Sequence, residues 1–346
     1  KPVAKMTTKT TRSRATGRVT LADVAALAKV SPITVSRALR GERAVASDLT
    51  ERVKAAALKL GYTPDPAARA LASRHSDHVA VLIPMLSNNL FVDVLESIQK
   101  TLRKAGYQTL IGITHYNTQE EEQLLREQLQ HRPAGILVTG LDRSDAARAL
   151  IEKSGIPCVH MMELAHTANI NSVGFSQTQA AITMTEHLLQ RGRKRIAFAA
   201  AQLDPRTMQR LEGWRKALKA AKCYDKTLSY TNKSASSMAL GGEMLEKILR
   251  DTPDVDAVFF CNDDLAQGAL LAAQRLKIKV PQQLAIAGFN DLTGSDLIGP
   301  GLTTIRTPRA AIGEAAAQML LRLMRQELVA TSSVDVGYEL MVRGST

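Results

Sequence analysis

"SPITVSRAL" (residues 31–39) decides how the front of this chain is read. Ser31 suits a helix N-cap, where a side-chain oxygen satisfies a free N–H of the first turn. Pro32 then takes the first helical position, where its missing N–H costs nothing. Val35 and Leu39, four residues apart, share one side. Ile33, Thr34 and Arg37 fall on other sides. A helix this short is not stable alone in water, so its apolar side needs partners. Upstream, "TLADVAALA" (20–28) offers Thr20 as N-cap and Asp23 three residues later, a variant of the capping box, with Leu21, Val24, Ala25 and Ala28 as its stripe. Lys29-Val30 is a short break. Downstream, "GERAVA" (41–46) reads as a loop. "SDLTERVKAAALKL" (47–60) reads as a third helix, with Ser47 as its expected cap and Gly61 as its stop. Leu49, Val53, Ala56, Ala57 and Leu60 are expected to face inward.

A helix, a tight turn and a capped second helix are the pattern of a DNA reader whose second helix enters the major groove. The same pattern also occurs as plain packing, and charge separates the two. Of the net charge of +12, residues 1–76 hold 15 Lys/Arg against 5 Asp/Glu, while the remaining 270 residues hold 30 against 28. So concentrated an excess points to a polyanion partner for this segment alone. Arg37 then suits a guanine edge or a phosphate, Ile33 a thymine methyl, and Thr34 and Ser36 bases or phosphate.

After the third helix comes "YTPDPAARALAS" (62–73), whose prolines push residues 63 and 65 out of the helical region and leave one or two turns of potential helix. From His78 onward, short apolar runs alternate with amphipathic segments. The runs include "VAVLIP" (79–84), "QTLIGI" (108–113), "AGILVTG" (134–140), "PCVHMM" (157–162), "SVGF" (172–175), "RIAFAA" (195–200), "DAVFFC" (256–261) and "LAIAGF" (284–289). Helices are expected at 90–105, 118–131, 143–154, 177–191, 207–221, 239–250, 263–275 and 309–326. Such alternation means βαβ units and parallel sheets. It leaves open one large sheet, a barrel or two smaller sheets.

Composition excludes several classes. The 346 residues are 45% hydrophobic and 23% charged, ordinary for a globular chain, and aromatics at 4% predict mostly aliphatic cores. No apolar run approaches the ~18 residues of a membrane span. The basic, polar start is not a secretory signal, and the first residues around Met6 read as a tail. Cys158, Cys223 and Cys261 stand too far apart for a disulfide framework or zinc site, which fits a reducing cytoplasm. Asp263 and Asp264 of "NDD" suit a helix start better than a metal. No phosphate-binding glycine motif and no nucleophile signature is present. Neither a cofactor nor a metal is expected, and enzyme activity is not.

"VTLADVAALAKVSPITVSRALRG" (19–41) with "LGYTPDPAARALAS" (60–73) resembles the DNA-binding headpiece of the LacI/GalR family of repressors. "CNDDLAQGALLAAQRLKIKVPQQLAIAGFND" (261–291) and "LTTIRTP" (302–308) extend the resemblance through the rest of the chain. It implies an all-α helix-turn-helix headpiece plus an α/β periplasmic-binding-protein-like body of two doubly wound parallel-sheet subdomains. The implied organisation is a basic tail (1–18), a DNA-binding domain (19–64), a hinge helix (65–76) and a body (77–346). Subdomain one spans about 77–176 plus 308–336, and subdomain two about 177–305 plus 337–346. The hinge is implied to fold only when two copies meet over the minor groove, where Leu71 wedges between base pairs beside Ala68 and Arg69. Leu71 packing on its own domain is the plainer alternative. The DNA-contacting set is therefore Thr20, Ser31, Pro32, Ile33, Thr34, Ser36, Arg37, Arg40, Ala68, Arg69 and Leu71.

The resemblance places a small-molecule effector between the subdomains, at the carboxyl ends of the strands. Strand by strand, the expected lining is Asn88, Asn89, Phe91, His160, Glu163, Arg206, Arg210, Ser236, Asn262 and Asn290. His160 reads equally as a core or cleft-wall hydrogen bonder. Sugar-binding relatives commonly carry an aspartate where Asn290 stands. The neutral amide removes a repulsion toward a carboxylate ligand, which Arg206 or Arg210 can then pair with. "LDPRTMQRLEGW" (203–214) and "LSNNLF" (86–91) are most similar to the gluconate-repressor branch. The expected partners are pseudo-palindromic double-stranded operator DNA, gluconate or 2-ketogluconate, and a second copy in a homodimer, since no heptad tail follows Val342. No membrane is expected, and the location is cytoplasmic, on the nucleoid. A neutral-sugar effector, corepression, a pure solute-binding protein and an enzyme with an appended DNA-binding domain are the alternatives.

Overall fold

The first helix, α1 (Leu21–Ala28), begins at the expected capping box: the Thr20 N–H donates to Asp23 Oδ2 at 2.8 Å, and the Asp23 N–H donates back to Thr20 Oγ1 at 3.4 Å. This computed structural model describes residues 19–39, 45–63, 76–86, 89–167 and 169–346. Arg40, Asn88 and the hinge residues Ala68, Arg69 and Leu71 lie outside the described residues. The chain divides into two units, 1–75 and 76–346.

In the first unit, Lys29 turns left-handed (φ 53°) and closes α1. Ser31 caps α2 (Pro32–Leu39), accepting from the Thr34 N–H at 3.1 Å. The third helix, α3 (Ser47–Leu60), starts after Ala46 with no side-chain cap. Ser47 is thus inside the helix and not its cap. Val24, Ala25, Ala28, Val35, Ala38, Val53, Ala56 and Ala57 form the core. The buried partner of Val35 is Ala38, three residues on, with Leu39 only half-buried. Every one of these core side chains is small, so the helices pack closely. Arg52 adds a tie, donating to the Ala28 carbonyl at 2.7 Å at the open end of α1.

The second unit holds two six-stranded sheets, which settles the choice that periodicity left open. Sheet one contains β1 (His78–Ile83), β2 (Gln108–Ile113), β3 (Gly135–Thr139), β4 (Cys158–Met161), β5 (Asn171–Gly174) and β11 (Ser333–Asp335), in the order β11-β5-β4-β3-β1-β2, all parallel. Sheet two contains β6 (Ile196–Ala200), β7 (Ser229–Thr231), β8 (Ala257–Phe260), β9 (Ala285–Asn290), β10 (Thr303–Arg306) and β12 (Glu339–Met341), in the order β12-β10-β9-β8-β6-β7, with only β12 antiparallel.

Helices α4 (Asn89–Lys104), α5 (Thr118–Gln130), α6 (Asp145–Ser154), α7 (Gln177–Gln190), α8 (Pro205–Ala220), α9 (Met238–Asp251), α10 (Asp263–Arg275) and α11 (Arg309–Met324) connect the strands. The chain crosses between sheets after β5, after β10 and after β11. On the second crossing α11 returns to pack on α4 and sheet one. Gly313 permits this, because a Cβ there would sit 2.5 Å from the Val94 carbonyl oxygen. The scarce aromatics are not spread evenly. Phe198, Phe259 and Trp214 cluster under sheet two, Phe198 meeting Phe259 edge-on at 5.3 Å, and the Trp214 Nε1–H donates to the Ile196 carbonyl at 3.2 Å. Around sheet one the core is mostly aliphatic, with Phe91 and Phe175 as its fully buried aromatics.

Candidate functional site

On the headpiece, α2 turns Ile33 (65% exposed) and Arg37 outward, with Ser31 and Pro32 exposed beside them. Thr34 and Ser36 are half-buried. Three of the expected contacts already have local work. Thr20 Oγ1 donates to Asp23 Oδ2 at 2.7 Å within the capping box, and the Ser31 and Thr34 hydroxyls bond each other at 2.9 Å. The outward face of α2 is therefore one large apolar side chain and one guanidinium on a fixed helix, which suits base-edge reading.

In the second unit, the strands of both sheets end on a shared cleft, where open α/β sheets hold ligands. Cavities of about 360 Å³ and about 390 Å³ flank a narrow inner pocket of about 20 Å³. The inner pocket is lined by Phe91 after β1, Gln177 after β5, Arg206 and Arg210 on α8, Asn262 after β8, Asn290 at the end of β9 and Thr307 after β10. Helix α8 starts here because Asp204 caps it, accepting from the Arg206 N–H at 3.0 Å, and because Pro205 takes its first position.

The two arginines sit one turn apart in different company. Arg206 Nη1 lies 3.3 Å from Glu163 Oε2 and 3.9 Å from Asp142, and its Nη2 lies 3.1 Å from Asp204. Burial alone would lower its pKa, yet Asp204 and Glu163 outweigh that and hold it above the ordinary arginine value. Glu163 also accepts from Gln209 Nε2 at 2.6 Å and from the Leu141 N–H at 3.2 Å. Glu163 follows a sheet-one strand, whereas Arg206 and Gln209 lie on α8 of the sheet-two half. The cluster is thus a buried latch across the cleft. It packs on the bare Cα of Gly140 (φ 76°), where a Cβ would lie 2.9 Å from Glu163 Oε2 and 2.8 Å from Asp142 Oδ1.

Arg210 has no carboxylate at salt-bridge distance among the described residues. Its Nε donates to Gln177 at 2.9 Å, and its Nη1 to the Cys261 carbonyl at 2.6 Å and Asn262 Oδ1 at 3.0 Å. Its guanidinium lies 3.8 Å from the Phe289 ring centroid, a cation–π contact. Burial lowers its pKa, only partly opposed by Asp204. Asn290 Nδ2 donates to the same Asn262 Oδ1 at 2.9 Å, and Asn290 Oδ1 accepts from the Thr307 hydroxyl at 3.0 Å. Asn262 Oδ1 is thereby occupied twice, which orients its amide and leaves Nδ2 to donate. Arg210 Nη2 likewise makes no hydrogen bond among the described residues. Two donors and one uncompensated positive charge can thus receive a carboxylate.

The other expected residues divide. Phe91 is buried in the inner pocket, and Ser236 lines the larger chamber with Asp264, whose pKa burial raises. Asn89 is exposed at that chamber's rim, donating to Thr293 Oγ1 at 3.0 Å. His160 does not join them. It accepts from Arg143 Nη1 at 2.7 Å, while Arg143 Nε donates to Glu121 at 2.8 Å. Burial, helped by Arg143, pushes the imidazole down to about 4. Its neighbours Val159 and Met161 face the opposite way into the core, as a period of two requires. Sequence reasoning passed over Gln177, Thr307, Phe289, Asp204 and Tyr116. The first two stand directly after strands, and scanning every strand end would have found them.

Residues 20–65 match the family model for "Bacterial regulatory proteins, lacI family", and residues 185–346 match "Periplasmic binding protein-like domain". The chain is 54% identical over 334 residues to the HTH-type transcriptional regulator GntR of Pseudomonas aeruginosa, covering 96% of this chain and 97% of that protein. It is 34% identical to the GntR regulator of Escherichia coli, covering 95% and 98%. The crystal structure of transcription regulator GntR from Chromobacterium violaceum superposes with a TM-score of 0.76 at 48% identity, covering 78% of this chain and 98% of that one. No helix among the described residues is long and apolar enough to cross a membrane. With the α2 face and the two-sheet body, these matches establish that the chain belongs to the lacI family of bacterial regulatory proteins, as a DNA-binding transcriptional regulator.

Proposed function

We propose that this repressor holds a pseudo-palindromic operator as a cytoplasmic, nucleoid-associated homodimer, and that a sugar acid, gluconate or 2-ketogluconate, bound between its two body subdomains releases it. The subdomains are those of the two sheets, about 77–176 with 308–336 and about 177–305 with 337–346. The observation that carries the reading is Arg210, which has no carboxylate at salt-bridge distance among the described residues and is held by neutral amides and a backbone carbonyl, while Asp204 in the same pocket is paired with Arg206. A neutral sugar gains little from such a cation, whereas a carboxylate gains a charge-assisted hydrogen bond in a dry site. Asn290 supports this, since an aspartate there would neutralise Arg210 and repel the ligand. On the headpiece, Ile33, Arg37 and Ser36 read bases or phosphate, and Leu71 with Ala68 and Arg69 engages the minor groove.

Release requires only that the effector bind the released arrangement better. A hundredfold preference corresponds to about 2.7 kcal/mol, enough to empty an operator held with modest excess. The test is a mobility-shift titration on the DNA upstream of the gene for this chain, with and without gluconate and 2-ketogluconate. The expected result is a salt-sensitive complex that either acid dissolves. A complex that tightens with the acid would replace induction by corepression. No complex at low salt would end the reading.

A further inference from the structure

Tyr116 lines each of the three cavities described above. It follows β2 with a left-handed backbone (φ 58°), as does His115 before it (φ 48°). Bulky residues adopt that conformation only where their surroundings impose it. Here the imposition is visible. The Thr114 and His115 N–H groups donate to the Ile83 and Pro84 carbonyls, each at 2.9 Å, extending the β1–β2 pairing past its end. The Asn117 N–H closes back on the Thr114 carbonyl at 2.7 Å, and Asn117 Oδ1 caps α5. The backbone is pinned on both sides, and the ring enters the cleft with the Arg206 guanidinium 5.8 Å from its centroid. The Tyr116 hydroxyl has no hydrogen-bond partner among the described residues. Burial pushes its pKa up to about 12, so it is present as a donor.

The chambers on either side of this ring differ in chemistry. One carries Glu121, Asp142 and Asp204 against Arg206 and Lys233. The other presents Asn89, Gln202, Ser236, Asn262, Gln267 and Thr293, with Asp264 as its one carboxyl. The inner pocket with Arg210 opens beside Tyr116 between them. A polyhydroxylated carboxylate anchored at Arg210 must extend past the ring. On one side the carboxylates are already committed, Asp142 and Asp204 to Arg206 and Glu121 to Arg143, and on the other amides and hydroxyls can pair with its hydroxyls.

We propose that Tyr116 is a specificity-determining residue: a partition that steers the chain of the sugar acid into the amide-lined chamber, limits its length, and donates its phenol hydrogen to it. The inference rests on the sugar-acid reading above. The experiment is calorimetric titration of the full-length chain with gluconate and with lactobionate, an aldonate extended by a second sugar. Wild type is expected to bind gluconate and to discriminate against lactobionate. Tyr116→Phe keeps the ring, so a folding defect cannot imitate its effect. It should weaken gluconate about fivefold to tenfold, the worth of one neutral hydrogen bond, and leave the discrimination intact. Tyr116→Ala joins the chambers. It should weaken gluconate further and bring the two ligands close together in affinity. Gluconate affinity unchanged in both variants would overturn the inference while leaving the sugar-acid reading standing. A wild type silent to every aldonate would overturn that reading, and this inference with it.

Discussion

Arg206 and Arg210 project from the same helix one turn apart and are almost equally buried, 6% and 5% exposed, yet they occupy opposite electrostatic situations. Arg206 is enclosed by Glu163, Asp204 and the more distant Asp142. Arg210 has a backbone carbonyl, two side-chain amide oxygens and an aromatic face. A buried charge with its counterions in place is a structural element, and removing either partner strands the other. A buried charge held only by dipoles is incomplete, and a ligand of opposite sign completes it. Burial and residue type do not distinguish the two. The provenance of the counterions does.

The largest expected effect tests the Arg206 side. Arg206→Met leaves Glu163 and Asp204 buried without their cation and should cost about 3–5 kcal/mol of body stability, read as a lower midpoint in chemical denaturation. Adding Glu163→Gln should recover part of that loss, because fewer stranded carboxylates remain. A single variant as stable as wild type would show that Arg206 is not held as a structural ion pair. Next in size is Arg210→Met. It should lower gluconate affinity about a hundredfold, with a smaller change in denaturation midpoint than Arg206→Met. If Arg206→Met abolished gluconate binding while Arg210→Met kept it, the two roles would be exchanged.

The contrast also marks what the sequence could and could not convey. Each apolar run of the body is a strand, and β1, β3, β6, β8 and β9 are legible because a strand buried on both faces is written as a nearly unbroken apolar stretch. β7 and β11 escaped notice because each is a three-residue edge strand with no fully buried position. β10, "TTIR", reads as polar although Thr303 and Thr304 are buried, since their hydroxyls are satisfied by Asp263, Arg343 and Thr346 far along the chain. The cleft followed the same logic. That ligand groups lie after strand ends is legible from strand positions alone, and so Glu163, Asn262 and Asn290 were found. That Arg206 is neutralised depends on residues 142, 163 and 204 converging, which no local pattern records. Tyr116 follows β2 at the same remove as Gln177 follows β5, so its position was open to the same scan; that its backbone turns left-handed there has no sequence signature.

The smallest expected effect carries the contrast to groups that titrate, one in each half of the body. Asp263, at the start of α10, accepts from the Leu292 N–H at 2.8 Å and from the Ser295 and Thr304 hydroxyls at 2.7 and 2.6 Å, yet burial prevails and pushes its pKa up to about 6. A carboxyl raised above its unfolded value contributes stability that is full below the unfolded pKa and is lost as pH rises through 6. His160 has the opposite sign. Held near 4 against an ordinary 6.5, it contributes stability above 6.5 that is lost as pH falls toward 4. From pH 7 to pH 5, Asp263 should therefore add about 1 kcal/mol and His160 remove about 2 kcal/mol. The loss is the larger, so wild-type stability should fall by about 1 kcal/mol across this interval. His160→Gln removes only the loss, and its denaturation midpoint should rise on acidification. Asp263→Asn removes only the gain, and its midpoint should fall more steeply than that of wild type. The hydroxyls of Ser295 and Thr304 can reverse to accept from a protonated Asp263, which is how a site of three donors tolerates an added proton. Parallel pH profiles for wild type and both variants would show that neither group is held away from its ordinary titration, and that burial without a partner does not set the charge of side chains in this body.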